Sequence, residues 1–333
     1  MPNEHLEYLS DIAETPSNIT QNNWSAFASL AKREAYNHEA LTNLRRQFLE
    51  HHFVDRPDNG KGKAKILASY GYAAMKNAHL LLQPPDVVRL PPHSATLTLK
   101  FRLLTPLLTR DDDPFYLFDN PVRKDHIFGL PYLSAAGAKG LAADAYQRAF
   151  PGATPWLERG ARDAERTLHF RREDPFATRL FGIADDGAEQ GGDNGAKAGR
   201  VHFSPVWFTH VQYLVMNPQD PDTAKGTLPI QFEAIAPLTS NSRPVEAEVQ
   251  LFYFNPGDPE STVRADLARF LASLASWWPA LGLGAKRLAG YGAIKPIEAA
   301  CHANGWQGWP EKGRVEKGDA SWMAMAEHIA TGA

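Results

Sequence analysis

The chain has 333 residues, 43% hydrophobic and 22% charged, with 25 glycines and 25 prolines, a composition near the globular average that excludes wholesale disorder and fibrous repeats. Its one cysteine, Cys301, excludes an intramolecular disulfide and any thiolate-rich zinc or iron–sulfur site, and fits a reducing cytoplasm. A net charge of −3 denies the chain the overall cationic excess of a freestanding nucleic-acid binder, so any such binding has to be local or shared with partners. No run reaches the roughly 20 apolar residues of a membrane span, and the first residues are polar and acidic where a secretory signal is basic and then apolar. The expectation is a soluble, cytoplasmic protein without membrane partners.

Trp24, Phe27, Leu30 and Ala31, then Leu41, Leu44, Phe48 and Leu49, recur at spacings of three and four, which predicts helices. A basic turn, Asp58 to Lys65, precedes a further helical pattern from Ile66 to Leu82 that Pro84 and Pro85 end. Residues 1–92 thus read as a helical N-terminal region. With no acid, histidine or cysteine cluster, it suits packing or subunit contact better than chemistry.

From Ser94 the pattern changes. Ala95 to Thr105 alternates, predicting a strand with Thr96, Thr98, Lys100 and Arg102 on one face. A loop over Pro106 to Leu130 is too long to be a mere connection, and Ser134 to Phe150 reads as an alanine-rich helix stopped by Pro151 and Gly152. Arg162 to Arg179 reads as charged surface and Asp185 to Ala198 as a low-complexity, poorly ordered tip. Strand signals return at Arg200 to Phe208, at Pro229 to Ala236 after the turn-rich Asn217 to Thr227, and at Val245 to Phe254. A helix from Val263 to Trp278, capped by Ser261 or Thr262, leads through the glycine-rich Gly282 to Gly292 into a last strand, Ala293 to Ala299. Residues 301–333 read as a tail with one short helix. Strand, helix, two or more strands, helix, strand is the split βαβ order of an α+β, ferredoxin-like domain over residues 93–300, with insertions near 106–133, 160–199 and 216–228.

Zinc-protease, Walker A, nucleophile-elbow and Cys-x-x-Cys motifs are all missing from the sequence. The glycines of GLGAKRLAGYG lie between a helix and a strand, the reverse of the strand–turn–helix order of a dinucleotide fold. The same segment surrounds Lys286, Arg287 and Tyr291 with Gly282, Gly284, Gly290 and Gly292, and holds no acidic residue. Backbone amides and cations can approach an anion closely there, with a tyrosine available for stacking; a tight connection with solvated charges is the plainer alternative. A second cluster places Arg123, Lys124 and His126 in the loop, and Ser134, Gly137, Lys139 and Gly140 at the start of the following helix, whose N-terminus carries positive dipole. In a split βαβ domain the loop after the first strand and the turn before the last can share one end of the sheet, so the two clusters are expected to meet. Asp111, Asp112 and Asp113 read as solvated, and His126, His169, His202 and His210 lack metal-ligand spacing. Tyr116, Phe118 and Tyr132 either brace the loop or stack bases, and Cys301 reads as inert.

Three segments, DNPVRKD…GLPYLSAAGAKG (Asp119 to Gly140), MNPQDPDTAKGTLPIQFEAI (Met216 to Ile235) and LGLGAKRLAGYGAI (Leu281 to Ile294), resemble in order and separation the motifs of the RAMP proteins of type III CRISPR effector complexes. The third is the most specific. The resemblance implies a ferredoxin-like (RRM-like) RAMP domain, a cytoplasmic ribonucleoprotein in antiviral defence, and as partners CRISPR guide RNA, target RNA and other type III effector subunits. It also implies an RNA-binding set of Arg123, Lys124, His126, Ser134, Gly137, Lys139, Gly284, Lys286, Arg287, Gly290 and Tyr291. Backbone members of the family cleave target RNA with a loop aspartate, and Asp119 stands at the matching position. It would act as a base toward the 2′-hydroxyl or through a divalent cation such as Mg; an aspartate before Asn-Pro is equally a turn starter. Ser134, Ala135, Ala136 and Gly137 replace the family's Pro-Gly-Ser-Ser, and Leu141 to Ala143 replace the arginine that often follows Lys-Gly. The readings that compete are an RNA-binding subunit, an endoribonuclease subunit using Asp119, and a structural adaptor.

Overall fold

The computed structural model describes residues 66–68, 85–110, 120–125, 129–150, 174–183, 196–216, 230–239 and 242–332. In chain order the described elements are β1 (Ile66–Ala68), β2 (Ala95–Leu103), β3 (Tyr132–Leu133), α1 (Ala135–Ala149), α2 (Pro175–Phe181), β4 (Gly182–Ile183), β5 (Lys197–Ala198), β6 (Val201–Phe203), β7 (Val206–Trp207), β8 (His210–Met216), β9 (Ile230–Ile235), β10 (Glu246–Tyr253), α3 (Glu260–Leu281), β11 (Ile294–Ala303), β12 (Arg314–Lys317) and α4 (Ser321–Thr331). The main sheet runs β12-β11-β2-β10-β6 with every neighbouring pair antiparallel. A smaller sheet runs β1-β8-β9, and β3 pairs with β7 and β4 with β5.

β2 sits in the middle because its alternation leaves one face wholly apolar. Ala95, Leu97, Leu99, Phe101 and Leu103 are buried, while Thr96, Thr98, Lys100 and Arg102 share the other face as the sequence predicts. Three helices cover the apolar face: α1 through Ala138, Ala142, Ala145 and Tyr146, α3 through Leu267, Phe270, Leu271 and Leu274, and α4 through Trp322, Met325 and Ile329, all in one core with β2. Each large apolar side chain so buried contributes about 1.5–3 kcal/mol. On the open face the long charges pair across strands, Lys100 with Glu298 at 3.4 Å and Arg102 with Glu246 at 3.1 Å. In β11 the register shifts between Pro296 and Glu298. The proline, which has no N–H to give, lies where β12 does not reach, since β12 pairs only from Glu298 to Cys301.

Several expectations are corrected. Ile66–Ala68 is extended and pairs with β8, where the 3.6 periodicity predicts helix; the open edge of β8 decides the conformation of this short apolar run. The other residues of the expected N-terminal helices lie outside the described residues, as do Asn217 to Thr227. Of the expected disordered tip, Lys197 and Ala198 pair with β4. The expected strand at Arg200 to Phe208 is two strands, broken at Ser204 and at Pro205, which lacks an N–H. α3 starts at Glu260 behind Pro259 with no side-chain cap, so Ser261 and Thr262 lie inside its first turn. The expected surface charge of Arg179 instead meets the fully buried Asp266 of α3 through Nη2 at 2.5 Å and Nε at 2.8 Å, with the Tyr253 hydroxyl donating to the same carboxylate at 2.7 Å. That bond and ion pair hold the Arg179 guanidinium above its ordinary value. The last expected strand runs four residues further, to Ala303.

Residues read as a tail add a strand and a helix to the main sheet. The indole of Trp322 packs on Trp278 with centroids 6.1 Å apart and donates to the Glu298 carbonyl at 3.0 Å. Arg264 of α3 lies over Trp306 and Trp309 and donates to the Gln307 carbonyl at 2.9 Å. The backbone amide of Gln307 in turn donates to Glu260 at 3.0 Å.

Two measurements check this arrangement. Trp322→Ala, which empties the space between α3 and α4, is expected to lower unfolding free energy by about 3–5 kcal/mol in urea titration; a loss below about 1 kcal/mol would show α4 to be dispensable. Partial burial pushes the Glu260 carboxyl up, and the Gln307 amide and Arg264 pull it down by more, leaving it below 4.5 when folded. The ionised carboxyl therefore stabilises the fold fully above pH 4.5 and progressively less as pH falls through the folded value. Glu260→Gln should flatten the decline of the urea midpoint between about pH 5 and pH 3 relative to the parent.

Candidate nucleic-acid interface

The two glycine-containing clusters meet. After β2 the chain passes over the glycine-rich turn: Leu107 and Leu108 bridge to Ile235 and Ala285, Ala285 N–H donates to the Leu108 carbonyl and Gly292 N–H to the Pro106 carbonyl, both at 2.8 Å. Thr105 adds two more bonds, its hydroxyl donating to the Gly290 carbonyl at 2.8 Å and accepting from Ala293 N–H at 2.9 Å. Gly292, at φ +73°, needs its missing Cβ, because a Cβ there would fall 1.8 Å from the Leu283 carbonyl oxygen. At Gly284 a Cβ would fall 2.4 Å from the Leu108 carbonyl oxygen. Gly290 differs: it faces open space with φ +86°. Most of the glycine pattern thus serves backbone approach within the fold, and Gly290 alone of the three is open outward.

Beside this junction lies a cleft of about 330 Å³. Thr109, Arg110 and Arg123 line one side, Tyr132, Ser134 and Gly137 another, and Gly284 and Ala285 close it from the glycine-rich turn. Arg123 is fixed by its backbone, whose N–H donates to Thr109 Oγ1 at 2.9 Å and whose carbonyl accepts from Tyr132 N–H at 3.0 Å. Ser134 is the N-cap of α1, its Oγ accepting from Gly137 N–H at 3.1 Å. That bond uses one acceptor position of the hydroxyl and leaves its O–H as a donor. Tyr132 packs on Trp207 at 5.2 Å between centroids, which braces the ring at the cleft wall.

The cations divide by what they meet. Lys124 bonds the buried carboxylate of Glu233, 1% exposed, whose other oxygen accepts from Val122 N–H at 3.2 Å, so its charge is compensated inside the fold. Arg287 Nη1 lies 3.2 Å from Asp144 Oδ2, while Arg148 Nε bonds Asp144 Oδ1 at 3.0 Å. One carboxylate shared by two guanidiniums ties the turn to α1. Lys286 is exposed, sits at φ 53°, and holds its ammonium 5.4 Å from the Phe232 ring centroid. It meets no carboxylate among the described residues. Lys139 is half-buried on α1, and its charge adds to burial in holding the His202 imidazole below its ordinary value. Burial likewise lowers His210, whose Nδ1 lies 2.7 Å from Thr209 Oγ1. Tyr291 is half-buried against Leu108, Phe232 and Ala234. Burial raises the thiol of Cys301 far above its ordinary value. Among the described residues no three His, Cys, Asp or Glu side chains gather to hold a metal ion, and no helix is long and apolar enough to cross a membrane.

Asp119, His126, Tyr116, Phe118 and Asp111 to Asp113 lie outside the described residues. Sequence reasoning missed Arg110, whose only local signal is its place two residues after the buried pair Leu107 and Leu108, and it missed Asp144 and Glu233, which look like ordinary exposed acids until the fold brings cations to them.

The model of the RAMP superfamily matches residues 100–295. The chain belongs to this superfamily. The match runs from β2 into the start of β11 and so contains the cleft and the glycine-rich turn of this RAMP chain. Among solved structures it is similar to a chain of a type III-B Cmr-β complex bound to cognate target RNA, at 16% identity and TM-score 0.45 over 89% of this chain and 98% of that one. It is also similar to a chain of a Csm3–Csm4 subcomplex of the type III-A CRISPR–Cas interference complex, at 14% identity and TM-score 0.38 over 72% and 96%, and to one of a type IV-B CRISPR complex, at 14% and 0.39 over 64% and 92%. Comparison with curated proteins found no match.

The glycines give a contrast that can be measured. Gly292→Ala should destabilise the protein severely, by about 3 kcal/mol or more or to the point of not folding, since positive φ and a backbone clash act together. Gly290→Ala should cost about 1 kcal/mol, the conformational term alone. Equal losses in thermal or urea unfolding would contradict the close approach at Gly292.

Proposed function

We propose that the chain is an RNA-binding subunit of a type III CRISPR ribonucleoprotein effector and holds guide RNA or a guide–target duplex by its backbone. Membership of the RAMP superfamily supports the assignment to such an assembly. The observation that carries the binding reading is the convergence of Arg110, Arg123, the α1 N-terminus and Gly284 and Ala285 of the glycine-rich turn around one cleft, with Lys286 and Arg287 next along that turn. These groups are cations and backbone amides, which grip phosphates without reading base identity. The strand order supports a ferredoxin-like core: in β11-β2-β10-β6, α1 connects β2 to β6 across β10, and α3 connects β10 to β11 across β2. That connectivity brings the loop after β2 and the turn before β11 to the same end of the sheet.

The test is RNA binding by the full chain with its effector partners as salt is varied. Lys286→Ala with Arg287→Ala should weaken binding and reduce the slope of log affinity against log salt by about 1.4, two phosphate contacts at about 0.7 each on a single strand. Lys124→Ala should instead cost stability, about 3–5 kcal/mol for a buried carboxylate left without its cation, and leave the slope of the folded fraction unchanged. An unaltered slope in the double variant would remove the glycine-rich turn from the interface.

A further inference from the structure

The tip of the glycine-rich turn carries a side chain that phosphate binding does not use. Leu288 is 105% exposed, while every other exposed large apolar residue among those described is at 70% or less. Its mount is firm. Arg287–Ala289 forms one 3-10 turn between two left-handed residues, Lys286 at φ 53° and Gly290 at φ 86°. A lysine in that conformation stores about 1 kcal/mol or more of strain, which the Ala285 and Gly290 bonds to the β2 loop hold in place. Nothing beside Leu288 shields it: Ala289 and Gly290 are both exposed, and Gly290 has open space around it. Flanking the leucine on its other side are Arg287 and Lys286, and the segment from Gly282 to Ile297 contains no acidic residue.

We propose that Leu288 is a wedge that enters between adjacent bases of the bound RNA and unstacks them. The inference rests on the RNA-binding reading and adds to it a contact with base faces. An apolar side chain on a rigid protrusion, next to cations that fix the neighbouring phosphates, is the arrangement with which wedge residues part a base step. The cations hold the strand against the turn, and the burial of the leucine against two base faces offsets the lost stacking. A protein groove would accept an exposed leucine as readily, but Lys286 beside it, exposed and facing no carboxylate among the described residues, favours a polyanion over the mixed surface of a protein partner.

The experiment uses the full chain and single-stranded RNA oligonucleotides with 2-aminopurine at successive positions, a base analogue whose fluorescence rises when it is unstacked. With protein saturating, one or two adjacent positions should brighten. Leu288→Ser should abolish that rise with the salt slope of binding unchanged, and Leu288→Met, long and apolar, should restore it. Since the side chain buries nothing within the fold, these variants fold like the parent, which circular dichroism checks. Tight binding with no brightening at any position overturns the wedge and leaves the RNA reading standing. Failure of the parent chain to bind the oligonucleotides overturns both. Brightening that persists in Leu288→Ser, together with loss of a co-purifying protein, assigns the leucine to a protein contact and overturns the wedge.

Discussion

The interface depends on two backbone segments lying closer than any side chain would allow. The glycine-rich turn can cross under the loop that follows β2 because Gly284 presents a bare Cα to the Leu108 carbonyl, and it can close on itself because Gly292 presents one to the Leu283 carbonyl. Once they are that close, the amides of Ala285 and Gly292 find partners across the junction, and the cleft wall, the exposed tip and the position of Lys286 all follow from the same crossing. The constraint is local in cause and long-range in effect, because it joins residues about 180 positions apart in sequence, as the Thr105 to Gly290 bond shows.

A second constraint is electrostatic. The fold uses several cations to satisfy carboxylates it has buried or drawn inward: Arg179 at Asp266, Lys124 at Glu233, and Arg287 with Arg148 at Asp144. Breaking a buried pair is costly because the remaining charge has lost water without gaining a partner, so Arg179 and Lys124 answer to folding first, whereas Arg287 and Arg148 meet a carboxylate that is only half-buried. What is left for a polyanion is the small remainder. Part of that remainder is Lys286, in the segment from Gly282 to Ile297 that holds no acidic residue and that meets the β2 loop at the cleft; under the proposed reading such local placement matters more than net charge, since charges act over about one Debye length.

Periodicity carried much of the fold. The alternation of β2 and β10 and the 3.6 repeat of α1 and α3 were legible because each has one wholly buried face, and burial is what hydrophobic pattern records. The pattern failed at Ile66–Ala68, where three apolar residues fit helix and strand alike and the free edge of β8 settles the matter. It failed again beyond Cys301, where aromatic residues separated by polar turns look like decoration although Trp306, Trp309 and Trp322 complete the core. Of the interface, the glycine-rich turn and the start of α1 were legible as types, cation next to glycine. Which cations face inward was not, because the deciding acids, Asp144 and Glu233, come from α1 and β9 and have no sequence proximity to the charges they neutralise.

Glycine therefore has two meanings within one short segment, and the difference bears on how the site works. Gly284 and Gly292 make the turn rigid by letting it be bonded to its neighbour, whereas Gly290 frees the turn to face outward with nothing above it. A flexible loop could also carry cations to a phosphate, but it would lose its own conformational freedom on binding, at about 1–2 kcal/mol per ordered residue. A turn already fixed by five cross-segment hydrogen bonds has met that cost during folding. Under the proposed RNA-binding reading, pre-ordering of this kind is what would let a small number of charges suffice in a chain whose overall charge is −3, since little of the interaction energy would be spent on arranging the protein.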